Sequence, residues 1–206
     1  MLAIDSSFTS PLTARERLFE AAVELFATHG FHSISLRDLA SHLGIQAGSL
    51  YHHIENKECL LFELIESALS DLLVTTKRCI SGAKRTSDRV RSFVQVFVSF
   101  TSYEKNRLIL VNREFVNLSE EHKHHVDQLK KNYQNLLYEI IENKCRVKDG
   151  SDERIHLLTN TIIGMLYGQL QWNDVVIKEM CLTELLTGCI LRIIDKNKED
   201  VRSASL

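Results

Sequence analysis

The sequence predicts an all-α protein, a small N-terminal helical unit followed by a larger helical bundle. Three observations predict it. Apolar residues recur at helical spacing along most of the chain, and no segment has the period of a strand. The single proline, Pro11, stands near the start, so no proline interrupts a helix after it. The glycines are few and isolated, which argues against a glycine-rich phosphate loop and against an all-β fold with many tight turns.

Residues 1–12 read as a disordered arm. From Thr13 the pattern turns helical, with Leu18, Ala21, Ala22, Leu25 and Phe26 on one face. Thr13 and Glu16 form a capping box, and Gly30 is placed to end this helix. Ser35 opens a second helix as its N-cap, with Asp38 near the positive end. Leu36, Leu39, Ala40 and Leu43 are its apolar face, and Gly44 stops it. A very short third helix is expected over about 46–53. Asn56 then caps a long fourth helix, read as a connecting helix over 57–74 with Leu60, Leu61, Leu64, Ile65, Ala68, Leu69 and Leu72 buried.

A polar connector, SGAKRTS, spans Ser81 to Ser87. Amphipathic segments follow over about 88–103, 105–118, 120–146, 152–173 and 180–196. A loop containing Asp149 and Gly150 lies between the third and fourth of them. The domain reading is therefore a head over 13–56, the connecting helix, a bundle over 75–196, and a charged tail over 197–206.

Several function classes are excluded early. No apolar run reaches the ~20 residues of a membrane span. The opening MLAIDSSFTSP has neither a basic nor an apolar signal region, so no signal peptide is expected. The five cysteines are scattered without a CxxC pair, which predicts reduced thiols in a cytoplasmic protein. No Ser/His/Asp arrangement, HExxH or phosphate loop is present, so neither an enzyme nor a bound cofactor is predicted. Metal is not expected either. His52 and His53 are adjacent and share no helix face, and His122 and His125 sit at an exposed helix start.

The stretch LGIQAGSLYHHIENKECLL, Leu43 to Leu61, carries the strongest signal. Two helices joined by a short glycine-containing turn make a helix-turn-helix, whose second helix enters the DNA major groove. Leu36, Leu39, Ala40, Leu43, Ile45 and Leu50 are expected to fix the angle between the helices. Gln46, Ala47, Ser49, Tyr51 and His52 then face outward. Gln suits adenine, Ala a thymine methyl, and Ser either kind of partner. Tyr51, Lys57, Ser35 and Arg37 are placed to hold phosphates. Net charge gives no support, because residues 1–60 carry four cations against seven anions. The electrostatic term should accordingly be modest.

The ordered set of motifs resembles the DNA-binding domain of TetR-family transcriptional regulators over about residues 13–66. It comprises FATHGF at Phe26 to Phe31, SLRDLA at Ser35 to Ala40, and LGI at Leu43 to Ile45. It continues with GSLYHH at Gly48 to His53 and NKECLL at Asn56 to Leu61. Three positions depart from the common pattern: Ile54 replaces an aromatic, Gln46 replaces a serine, and Glu55 adds an anion beside Lys57. The resemblance implies a homodimeric repressor of double-stranded operator DNA, released by a small-molecule effector. It implies DNA contacts from Ser35, Arg37, Gln46, Ala47, Gly48, Ser49, Tyr51, His52 and Lys57.

The run from Arg107 to Glu142 contains NRE, then LSEE, then a basic helix ending in IIE. This resembles the branch of the family that controls fatty-acid metabolism, and it implies an acyl-CoA effector. Phe93, Phe97, Phe100, Asn112, Arg113, Tyr138, Gln169 and Trp172 are the candidate pocket residues, each polar or aromatic near an apolar face. Val96 extends the same aromatic stripe. For the dimer, Gly164 and Gly168 allow close helix approach, and Leu182, Leu186, Ile190 and Ile193 lie along the apolar last helix. The competing reading is a helical adaptor that binds proteins and not DNA.

Overall fold

The structure is a computed structural model, which describes residues 12–145, 153–172 and 177–204, without the side chains of 170–172 and 197–204. Nine α-helices and one 3-10 turn make up the described chain. The predicted arm, apart from Leu12, and the loop at Asp149 and Gly150 lie outside the described residues.

The head is built from α1 (Ala14–His29), α2 (Leu36–His42) and α3 (Ala47–Leu50). The predicted caps form as reciprocal boxes: Thr13 with Glu16, and Ser35 with Asp38. Each hydroxyl accepts a helix N–H while the acid accepts the cap N–H, so donors exposed at the helix start are satisfied locally. Gly30 (φ 88°) and Gly44 (φ 67°) take backbone conformations that favour glycine, and they turn the chain out of α1 and α2. The third helix is shorter than the expected 46–53. After Leu50 the N–H groups of His53 and Ile54 both converge on the Leu50 carbonyl, closing the helix into a turn.

Helix α4 (Lys57–Ser81) leaves the head and runs through the bundle. It passes the predicted end at residue 74 because Thr76 and Ile80 extend the buried stripe by another two turns. Around it stand α5 (Thr86–Tyr103), α6 (Lys105–Arg113), α7 (Glu120–Cys145), α8 (Glu153–Trp172) and α9 (Glu179–Ala204). The single segment expected over 105–118 is instead α6 followed by a 3-10 turn, Phe115–Asn117. The expected tail is helical as far as Ala204, since no proline or glycine follows Gly188 to stop it. Among the described residues no helix is long and apolar enough to cross a membrane.

Two cores hold the molecule together. One joins the head to the start of α4 and also takes in Leu110 and Val111 of α6, Leu118, and Val126 of α7. The other fills the bundle, from Leu72 to Ile194. The head is therefore packed continuously onto α6 and α7.

Candidate DNA-reading surface and effector cavity

Leu39, Ala40 and Leu50 are buried beneath the α2–α3 corner, with Leu36 and Leu43 half-buried. Ile54 is buried in the same core. Ile45 does not join them: it is 40 % exposed, because the left-handed turn at Gly44 carries it outward. Above this base Gln46, Gly48, Ser49, Tyr51 and His52 form one exposed surface. Gln46 is the N-cap of α3, yet its side chain makes no capping bond and stays available. Ala47 is half-buried against the core of the head and presents only part of its surface. Tyr51 is 60 % exposed, so it does not pack the corner.

The four phosphate candidates have different settings. Arg37 is exposed and makes no ion pair among the described residues. The Ser35 hydroxyl is engaged with Asp38 at 2.6 Å, a bond that holds the Asp38 carboxyl below its ordinary range. Lys57 points inward. Its ammonium donates to the Phe31 carbonyl and lies 4.0 Å from the centre of the Phe31 ring. Burial pushes Lys57 below the ordinary lysine range, against the opposing charges of Glu114 and Asp38.

A small cavity of about 190 Å³ lies among α4, α6, α7 and α8. Leu69, Val111 and Ile163 give it apolar walls, and Asn112, Lys130, Tyr133, Gln134 and Tyr167 give it polar groups. The Tyr133 hydroxyl is buried and makes no hydrogen bond among the described residues. The Thr76 hydroxyl is buried beside it, near enough to offset a little of the effect of burial on Tyr133. Burial pushes Tyr133 well above the ordinary tyrosine range and Tyr167 up to about 12, so both phenols are neutral donors at pH 7. Desolvation lowers Lys130, whose ammonium sits 3.5 Å from the centre of the Phe115 ring. Two larger grooves, of about 930 and 610 Å³, are more open to solvent.

Of the predicted pocket residues with described side chains, Asn112 alone lines this cavity. Phe93 and Phe97 are buried behind it, where they support Tyr133 (4.9 Å between ring centres) and Tyr167 (5.2 Å). Phe100 and Val96 border a separate groove with Thr75 and Cys79. Tyr138 packs on His156, and Gln169 is half-buried on α8 away from the lining. The Trp172 side chain lies outside the described residues. Arg113 turns away from the cavity and donates to the carbonyls of Phe26 and Ala27, at 2.5 and 2.9 Å. The C-terminal turn of α1 is the cause: its carbonyls carry the negative end of the helix dipole and attract a guanidinium, the Phe26 carbonyl accepting from the Gly30 N–H as well. Lys130, Tyr133 and Tyr167 were the readable sign that sequence reasoning passed over, polar-tipped side chains set among apolar neighbours on α7 and α8.

The predicted dimer stripe is also redistributed. Leu182, Leu186 and Ile190 are buried in the bundle, where α9 packs chiefly on α5. Among the described residues, the large apolar side chains left exposed on α8 and α9 are Leu157, Met180, Leu185 and Ile193. Gly164 is exposed with them and Gly168 half-buried. Helix α9 has apolar residues on both sides, and the side richer in leucine and isoleucine serves its own bundle. His122 and His125 pair with Glu58 and Glu66 rather than with each other.

Two family models match the chain in order. The model for bacterial regulatory proteins of the tetR family covers residues 18–64, and a tetracyclin repressor-like C-terminal domain covers 83–175. The chain belongs to the TetR family. It is thus a DNA-binding transcriptional regulator and not an enzyme, in a family that binds operator DNA and effectors. Among relatives of this TetR-family chain is the transcriptional repressor KstR2 of Rhodococcus jostii. It is 26% identical over 138 residues, spanning 66% of this chain and 67% of the relative. The fatty acid metabolism regulator protein of Bacillus subtilis is 22% identical over 142 residues, 68% of this chain and 73% of that protein. The fold is shared with AibR, solved in complex with isovaleryl coenzyme A and operator DNA. The TM-score is 0.75 at 20% identity, over 85% of this chain and 96% of AibR.

Proposed function

We propose that this TetR-family regulator is a cytoplasmic repressor that binds a near-palindromic operator as a homodimer and is released by an acyl-CoA. The observation that carries this reading is the pairing of an exposed recognition surface with a partly polar cavity in one continuously packed chain. Gln46, Ser49 and His52 are the base readers, with Ala47 and Gly48 allowing close approach. Tyr51 and Arg37 hold phosphates, with Ser35 and Lys57 ordering the elements that present them.

The cavity is below the ~300–1,000 Å³ of ordinary ligand sites. It suits the acyl end of a thioester, with the coenzyme remaining outside. Tyr133 and Tyr167 then donate to the thioester carbonyl, and Lys130 and Asn112 stand on the side of the polar portion. The relationship to a fatty acid regulator, and the fold shared with a protein that binds isovaleryl coenzyme A, support an acyl thioester over other apolar effectors.

A second copy covers the exposed apolar residues of α8 and α9. Solvated leucine, isoleucine and methionine on α8 and α9 mark an association surface, and a two-fold axis makes it self-complementary. A two-fold dimer presents two α3 helices to successive major grooves, about 34–36 Å apart. Selection from random duplexes tests this. Enriched sequences should be two-fold symmetric with half-sites near that spacing or a multiple of it. Enrichment of asymmetric single sites, or none at all, contradicts the proposal.

A further inference from the structure

The six residues from Asn112 to Asn117 touch the cavity on one side and the DNA-reading head on the other. Asn112 lines the cavity. Arg113 holds the Phe26 and Ala27 carbonyls in the last turn of α1. Glu114 is buried, takes the Arg113 Nε at 2.7 Å, and accepts from the Asn117 amide at 2.7 Å. Phe115 lies under the ammonium of Lys130, which also lines the cavity. Asn117 Oδ1 meets His32 Nε2 at 2.7 Å, on the loop that leads into α2. Around Gly30 the same loop runs close to Glu114, 4.0 Å from where a Cβ would stand.

A shift of α6 by a group entering beside Asn112 therefore has to move or break the Arg113 contacts, because adjacent residues of one helix travel together. Packed elements respond to such displacements by discrete rearrangement, not by smooth deformation. The end of α1 is next to the α2–α3 corner in the same core, so its angle sets the direction of the recognition surface.

We infer that Arg113 is a positioning residue for DNA recognition. It fixes the end of α1 in the operator-competent arrangement, and occupancy of the cavity acts on the head by disturbing that hold. The second half rests on the reading of the cavity as the acyl-CoA site. Linkage then gives a signature that a mere brace lacks. If the Arg113 contacts oppose the effector-bound arrangement, removing them weakens operator binding and at the same time strengthens effector binding to the free protein.

The test uses the full chain as wild type, Arg113→Ala and Arg113→Lys, with a selected operator duplex and acyl-CoAs from acetyl- to palmitoyl-CoA. Operator affinity is read by anisotropy, thioester affinity by calorimetry, and folding by thermal midpoint. Arg113→Ala should weaken operator binding about tenfold, within the usual range for coupling residues. Its thioester affinity should be equal or higher, and the thioester should change its operator affinity far less than in wild type. Arg113→Lys, which retains the charge and can reach one carbonyl, should recover part of the operator affinity. Unchanged operator affinity in Arg113→Ala overturns the inference. So does a parallel fall in both affinities together with the thermal midpoint, which is the mark of general damage. Wild type that binds operator but none of these thioesters contradicts the effector reading. Operator affinity then decides the positioning role alone: a tenfold loss supports it and no loss overturns it.

Discussion

Tyr51 stands 60 % exposed on the turn after α3, directly after a fully buried Leu50. Truncating it removes no core packing. Tyr51→Ala should weaken operator binding about tenfold, the scale of one hydrogen bond to a charged group. Dimerisation and thermal midpoint should stay as in wild type. Anisotropy and light scattering on one preparation check both, and loss of the dimer would instead assign Tyr51 a packing role. Lys57 illustrates why residue type alone misleads. Phe31 offers it a carbonyl and a ring face, and Glu114 and Asp38 supply charge, so the side chain is drawn inward. Arg113 went the same way for a related reason. A cation near apolar faces reads as a ligand group, whereas the carbonyls of the last turn of α1 offered it partners within its own chain.

The seam between α4 and α7 depends on pH. Glu58 accepts from the Ser119 N–H at 2.8 Å and from His122 Nδ1 at 2.8 Å, and His122 stacks on Phe62. Burial raises the Glu58 carboxyl, but those hydrogen bonds and the His122 charge together pull it below the ordinary glutamate value of 4.5. A folded-state pKa below the unfolded one stabilises the fold above the unfolded value. That stability is lost as pH falls through 4.5 toward the folded value. Glu58→Gln should therefore flatten part of the fall in urea midpoint between neutral and acid pH. Glu16 and Asp38, both also lowered by their capping bonds, retain the remainder. An identical pH profile in the variant would show that Glu58 contributes nothing to acid unfolding. At this scale the helix starts were legible in the sequence, because Thr13 with Glu16, Ser35 with Asp38, and Asn56 act over three residues. Helix ends were less so: α4 and α9 outrun their predicted limits, where only tertiary burial or the lack of a breaker decides. The cavity was harder to read: Lys130, Tyr133 and Tyr167 are polar only at the tip, and their meeting with Leu69 and Asn112 depends on how four helices pack.

Across the whole molecule, apolar residues on both sides of α9 leave one side for its own bundle and the other exposed. Periodicity finds such a helix but cannot say which side meets which partner, and Leu182, Leu186 and Ile190 are buried within their own bundle. Leu185, 60 % exposed, is the better probe of association. Leu185→Glu should yield a folded monomer by light scattering, because it places charge on the proposed contact and not in the core. A persisting dimer would put the interface elsewhere. The monomer should also bind a symmetric operator far more weakly, having lost the second half-site.

The most direct measurement is an anisotropy titration of the full chain against its operator, with and without saturating acyl-CoA. The account predicts saturable operator binding that one or more thioesters weaken at least about tenfold, a coupling of ~1.4 kcal/mol or more. Operator affinity that is the same with every thioester would contradict it, leaving a DNA-binding regulator whose effector is of another chemistry.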